Sequence, residues 1–153
     1  MTRTKHIAGL LLIFCLASGF ASAHTRSESY SHWHMAGNSI TGSITIPLRE
    51  VMTLYQISDS TIAPKQLFQE QLVENVLVKA NASVCAMASS SLLTAPSDYV
   101  RVEMTFVCQS DKPNSITFRA MLDTAPAHVH YAKLHADGLL LGEFLFTNTA
   151  DNW

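Results

Sequence analysis

The sequence is poor in charge and has no long apolar run after its first 23 residues. Ten Lys/Arg and twelve Asp/Glu occur in 153 residues. If 1–23 are removed, eight basic residues stand against twelve acidic ones, and the net charge with neutral histidine is −4. That balance argues against nucleic acid or anionic lipid as a partner. A transmembrane helix needs about 20 apolar residues, so we predict none in the mature chain.

The sequence also lacks the motifs that mark common enzymes. It contains no Gly-X-Ser-X-Gly, no His-Glu-X-X-His, no phosphate-binding loop and no dinucleotide-binding glycine pattern. Serine, histidine and aspartate are plentiful, but no spacing nominates a catalytic triad. We therefore predict that the protein is not an enzyme and assign no catalytic residue.

The first 23 residues have the three parts of a secretory signal peptide. Arg3 and Lys5 precede the apolar run IAGLLLIFCLASGF, and small residues follow at 21–23. A membrane anchor is the alternative, but the run is short for a span. We predict cleavage after Ala23. The remaining 24–153, without repeats or linkers, are predicted to form a single extracytoplasmic domain, periplasmic or extracellular.

Cysteine is scarce, and its number after cleavage is even. Cys15 leaves with the signal peptide, and Cys85 and Cys108 remain. In an exported chain this predicts a disulfide between them. Two buried free thiols are the alternative.

Most of the mature chain alternates apolar and polar residues, which is typical of strands with one buried face. The run YVRVEMTFVC places Val100, Val102, Met104, Phe106 and Cys108 on one face. Turn residues predict hairpins at the start and end of the domain. The period changes to helical spacing from about 64 to 75. With seven or eight strands, we predict a mainly β fold: an antiparallel, immunoglobulin-like β-sandwich with one inserted α-helix.

Six histidines remain after cleavage, three near each end of the mature chain. The pairs His32/His34 and His128/His130 are each separated by one residue. In a strand this spacing places two rings on one face about 7 Å apart. Copper, nickel and zinc all accept imidazole ligands. We therefore predict these four histidines as candidate metal ligands, with His128 and His130 the stronger pair; solvated histidines on a polar strand are the alternative.

His24 is a separate candidate metal ligand. After cleavage behind Ala23 its α-amine and its ring nitrogen would both be free to bind one copper ion. This arrangement resembles the histidine brace of copper-handling β-sandwich proteins and copper oxygenases. A second imidazole from His32, His34, His128 or His130 would complete the site.

Three segments resemble the exported N-terminal region of HupE/UreJ-type membrane proteins: AHTRSESYSHWHMAGNSITGSITIPLREVMTL, VRVEMTFVC and PAHVHYAKLHADGLLLGEFLFTNTADNW. The matching positions include 24–27, 48–51, Cys85 with Cys108, and the strand with His128 and His130. In that family a β-rich exported region precedes transmembrane helices linked to the permeation of nickel or related metals. No such helices are predicted between residues 24 and 153, so permease activity is not carried over.

The resemblance implies an accessory or metal-binding module of a metal-transport system, with a membrane permease subunit as its partner. A divalent ion of copper, nickel or zinc is the expected ligand. The alternative is a structural interaction domain whose histidines bind no metal.

Overall fold

The structure is a computed structural model, and it describes residues 27–109 and 111–153. The predicted signal peptide, its cleavage point and His24 lie outside these residues. Within them, no helix is both long and apolar enough to cross a membrane.

The first predicted hairpin is confirmed. Strand β1 (Glu28–Ala36) and strand β2 (Ser39–Pro47) pair antiparallel around a turn in which Gly37 has φ +60°. Glycine adopts this left-handed conformation without the steric cost that a Cβ would bring. Alternate residues of both strands are buried, as the sequence pattern indicates.

Six strands form the main sheet in the order β5-β6-β2-β1-β8-β9. Neighbours pair antiparallel except β1 and β8, which are parallel. The pairing of β8 with β9 confirms the hairpin predicted near the end of the chain. The other four strands are β5 (Ala86–Leu93), β6 (Tyr99–Val107), β8 (Val129–Ala136) and β9 (Leu139–Phe146).

A second, three-stranded sheet has the order β4-β3-β7 and is antiparallel. Its strands are β3 (Val76–Ala80), β4 (Ser83–Val84) and β7 (Ser115–Phe118). Buried side chains from this sheet, from the main sheet and from two helices belong to one hydrophobic core.

The described residues contain two helices, whereas one was predicted. Helix α2 (Pro64–Asn75) confirms the predicted helix, with proline in its first turn and Leu67, Phe68 and Leu72 buried. Helix α1 (Leu48–Ile57) was missed. It begins directly after Pro47 and buries Val51 and Leu54.

The predicted fold class therefore needs correction in its detail. The protein is mainly β with two sheets, but there are nine strands in the described residues, and the main sheet is mixed. The parallel β1–β8 pair joins segments about one hundred residues apart, so local alternation carried no signal of its direction. An immunoglobulin-like arrangement is not established by this topology.

The predicted disulfide is present between Cys85 and Cys108, whose Cα atoms are 4.2 Å apart. Both residues are buried, at 4% and 2% exposure. The backbone of Cys108 also exchanges hydrogen bonds with Asn38 in the turn between β1 and β2. The disulfide therefore lies beside the first hairpin and holds the β5 segment to the end of β6.

Candidate functional site

The parallel pairing of β1 and β8 places the five described histidines in two groups, one on the inner and one on the outer side of the main sheet. Side chains alternate along a strand, so His130 points into the core while His32, His34 and His135 lie on the outer face. His128 immediately precedes β8 and is also buried. The inner and outer groups combine residues from both ends of the sequence.

The inner group is a chain of alternating hydroxyls and imidazoles, which we call the serine–histidine ladder: Ser27, His128, Ser29, His130 and Ser31. Ser27 Oγ lies 2.6 Å from His128 Nδ1, and Ser29 Oγ lies 2.7 Å from His128 Nε2. Ser29 Oγ also lies 2.6 Å from His130 Nδ1, and Ser31 Oγ lies 2.7 Å from His130 Nε2. Both nitrogens of each ring therefore have hydroxyl partners.

Two further groups close the ladder at its ends. Ser27 donates to Glu50 Oε2 of helix α1 across 2.6 Å. At the other end, the indole Nε1 of Trp33 donates to Ser31 Oγ across 2.8 Å. Arg49 pairs with the other carboxylate oxygen of Glu50 at 3.2 Å. The ladder thus runs from a partly exposed carboxylate to a buried tryptophan.

The surroundings of the ladder favour the neutral form of both histidines. The His130 ring stacks on Phe118 with 3.6 Å between ring centroids and also lies near Phe146. Burial lowers the pKa of His130 well below its usual value, and the neighbouring His128 lowers it further. Burial also lowers the pKa of His128, against the opposing effect of Glu50 and Glu28.

The positions of His128 and His130 bear on their predicted role as metal ligands. As placed, neither ring has a nitrogen free for a metal, because each nitrogen lies within hydrogen-bond distance of a serine. Metal binding there would require the ladder to break. Metal binding at this pair remains a prediction.

The same contacts bear on catalysis. A serine beside a histidine and a carboxylate is the arrangement of an activated nucleophile. Ser29 and Ser31, however, are each 1% exposed, so their hydroxyls do not reach a substrate in solvent. Ser27 is partly buried, and its single proton is directed at Glu50. The two buried hydroxyls, those of Ser29 and Ser31, therefore present no nucleophile to a substrate.

The outer group, which we call the outer histidine cluster, consists of His32, His34 and His135. His34 and His135 are directly opposed in the parallel register, with ring centroids 5.2 Å apart. The centroids of His32 and His135 are 6.3 Å apart. The Nδ1 atom of His135 is buried and has no hydrogen-bond partner among the described residues.

Charged neighbours flank the outer histidine cluster. Lys133 lies opposite His32 in the register and pairs with Glu143 of β9 at 2.7 Å. Partial burial lowers the pKa of His32, and electrostatic repulsion of its protonated form by His135 and Lys133 adds to the effect. A low pKa favours the neutral imidazole, the form that binds metals.

The three rings of the outer cluster are not arranged around a common point. His135 is within 18° of parallel to each of the other two rings. Across the described ranges, no group of three or more His, Cys, Asp or Glu side chains stands ready to hold a metal ion. The pair His32/His34 was predicted from sequence. His135 was not predicted as a metal ligand, because only the β1–β8 register brings it close to that pair.

Comparison with known proteins does not extend these observations. No family model matches the chain, and no curated protein shows a significant match. The similarity to the HupE/UreJ exported region therefore remains a prediction, carried by the three sequence segments that resemble it.

Proposed function

We propose that the chain is a non-enzymatic extracytoplasmic domain that binds a divalent transition metal at the outer histidine cluster. In this proposal it serves as an accessory module of a HupE/UreJ-type metal-transport system. The observation that carries the proposal is the meeting of His32, His34 and His135 on one exposed sheet face.

The spacing of the cluster suits one shared metal ion. Imidazoles bind zinc at about 2.0–2.1 Å, so two rings on one tetrahedral metal have centroids roughly 5–6 Å apart. The His34–His135 separation of 5.2 Å lies in this range, and the His32–His135 separation of 6.3 Å lies just above it. Metal binding in this proposal requires rotation about the side-chain torsions, which would turn the ring nitrogens toward the metal.

His32 and His34 are exposed, so their rings have room to rotate, whereas His135 is partly buried. His135 contributes an unsatisfied group, since its buried Nδ1 has no partner among the described atoms. A buried polar atom without a partner costs about 1–3 kcal/mol. Reorienting the His135 ring toward a metal would offset part of that cost.

One observation and one sequence prediction support the proposed extracytoplasmic location. The Cys85–Cys108 disulfide is the kind of bond that persists in oxidising compartments. The predicted signal peptide precedes the domain in the sequence. Together these support export, with the HupE/UreJ resemblance supplying the proposed membrane partner.

The alternative proposal is a structural interaction domain that binds no metal. It is favoured by the near-parallel rings of the outer cluster and by the occupied nitrogens of His128 and His130. Under this alternative, the outer histidines are polar residues of a solvated sheet face.

Titration of the purified mature domain with Zn²⁺, Ni²⁺ and Cu²⁺, followed by calorimetry, separates the two proposals. We expect saturable binding of micromolar affinity or tighter that is lost when His32, His34 and His135 are all replaced by alanine. The matched control replaces Tyr30 and Tyr131, the stacked pair next along the same face, and should retain binding.

Other outcomes of the titration are equally informative. Absence of saturable binding for all three ions would favour the structural alternative. Binding that survives the triple variant but is lost on replacing His128 and His130 would move the site to the pair that the sequence favoured.

A further inference from the structure

The two ends of the serine–histidine ladder have opposite hydrogen-bonding character. The Glu50 carboxylate accepts from Ser27 and from Arg49, whereas the Trp33 indole N–H donates only. Between them, each serine hydroxyl has one proton and each neutral imidazole has one N–H. These limits determine the direction of every hydrogen bond in the ladder.

The direction follows step by step from the carboxylate. Ser27 donates its one proton to Glu50, so the contact between Ser27 and His128 requires Nδ1–H of His128 as donor. A neutral His128 then has a free lone pair on Nε2, which accepts from Ser29. The first half of the ladder therefore has one arrangement that satisfies all its atoms.

The second half repeats the first. Ser29 has used its proton, so Nδ1–H of His130 donates to Ser29 and Nε2 of His130 accepts from Ser31. Ser31 then accepts from Trp33. All six hydrogen bonds run in one direction, and both histidines are Nδ1–H tautomers.

If every hydrogen bond in the ladder ran in the opposite direction, one buried hydroxyl proton would have no acceptor. His130 would then donate through Nε2 to Ser31, which already accepts from Trp33. The hydroxyl proton of Ser31 would have no acceptor in the ladder, at a residue that is 1% exposed. Because buried unsatisfied donors are costly, both ends of the ladder select the same direction.

We propose that the ladder is a conformational latch, a single cooperative unit that links Glu50 on α1 to Trp33 in the core. The unit joins three elements. Glu50 lies on α1, the three serines belong to the β1 segment, and the two histidines belong to the β8 segment. A change at the Glu50 carboxylate is transmitted through the histidines to Trp33. This proposal is independent of metal binding at the outer cluster.

Cooperativity follows from the burial of the ladder. In a low-dielectric interior, each hydrogen bond polarises the next, so a chain is stronger than its separate parts. His130 is fully buried, and Phe118 and Phe146 supply apolar rings around it. Removing one end of the ladder should therefore weaken the contacts at the other end.

The first test observes the tautomers directly. Long-range ¹H–¹⁵N NMR spectra of the ¹⁵N-labelled domain at pH 7.5 should show both His128 and His130 protonated at Nδ1 and unprotonated at Nε2. The measurement is made on the unaltered sequence, so it does not depend on a variant that folds. An Nε2–H tautomer at either residue would overturn the proposal.

The second test measures coupling between the two ends by a double-mutant cycle. The variants are Glu50→Ala, Trp33→Phe and their combination, and the readout is the equilibrium constant of unfolding. If the latch is cooperative, the combined effect should be smaller than the product of the single effects by about threefold or more. Pairing Trp33→Phe with Glu143→Ala, a surface carboxylate on β9, gives the control.

For the control pair the two effects should multiply, since Glu143 has no part in the ladder and distant sites are usually additive. If the Glu50 and Trp33 effects also multiply, the ladder is a row of independent contacts and the latch is refuted.

Discussion

At the residue scale, the buried serine hydroxyls and histidine rings satisfy one another's hydrogen bonds. Ser29 and Ser31 are buried polar residues at 1% exposure. Such residues are tolerated in a core when their hydrogen bonds are satisfied. His128 and His130 satisfy them, and the serines in turn occupy the ring nitrogens. The same pairing leaves neither ring with a free nitrogen in this arrangement.

The neutral state of His128 and His130 predicts a loss of stability in mild acid. Burial lowers the pKa of both rings in the folded protein, whereas an unfolded histidine titrates near pH 6.5. As pH falls below about 6.5, the unfolded chain therefore binds protons that the folded protein does not bind. The free energy of unfolding should fall by up to about 1.4 kcal/mol per pH unit for each such ring.

Urea unfolding between pH 7.5 and 5 measures this slope. Replacing His130 by asparagine should reduce the slope, because the most deeply buried of the histidines with lowered pKa is removed. A wild-type profile that stays flat across this interval would contradict the prediction.

At the element scale, the ends of the strands are joined by more than backbone pairing. The Cys85–Cys108 bond connects the start of β5 to the end of β6, and Asn38 bonds to the Cys108 backbone from the first turn. Elsewhere, Gly42 on β2 lies directly opposite Trp33 on β1, and a Cβ at Gly42 would overlap the Trp33 ring. These contacts hold the first hairpin and β6 in one register.

Loss of the disulfide should lower stability substantially. The bond closes a loop with a sequence separation of 23, and the chain-entropy model assigns about 3 kcal/mol to a loop of this length. Replacing both cysteines by alanine should therefore lower the free energy of unfolding by about that amount. Reduction of the wild-type protein, the matched comparison, should have a similar effect.

Thiol counting on the denatured, non-reduced mature protein accompanies the stability measurement. No free thiol should be found. Two reactive thiols would show that the pair is reduced and would also weaken the argument for export.

At the scale of the whole molecule, one hydrophobic core is shared by two sheets and two helices. The outer face of the β1–β8 pair carries the outer histidine cluster, and the inner face carries the serine–histidine ladder. One parallel strand pair therefore positions both histidine groups. Its register is a property of the complete fold and of no single segment.

Export should shorten the chain by its first 23 residues. Small residues at 21–23 predict cleavage after Ala23, so intact-mass spectrometry of the exported protein should show His24 as its first residue. Ala23→Leu should block cleavage because the position before the cut requires a small side chain. Thr25→Val, on the other side of the cut, is the matched control. A mature chain that begins elsewhere would exclude a histidine brace at His24.

Signals that lie within a few residues of one another were enough to identify several local elements. Alternation in the β6 run identified its buried face, and Pro64 with the change of period located helix α2. The even number of mature cysteines identified the disulfide partners. Helix α1 carries a weaker signal of the same kind, because Leu48, Val51 and Tyr55 recur at helical spacing but the helix is only ten residues long and follows a strand directly.

Which histidines meet depends instead on the tertiary structure. Spacing along the chain paired His32 with His34 and His128 with His130, and in both pairs the neighbours do share a face or a buried environment. The parallel register then brought His135 to the first pair and Ser27, Ser29 and Ser31 to the second. The physical reason is that pairing between strands about one hundred residues apart is set by packing of the whole core, which no local pattern encodes.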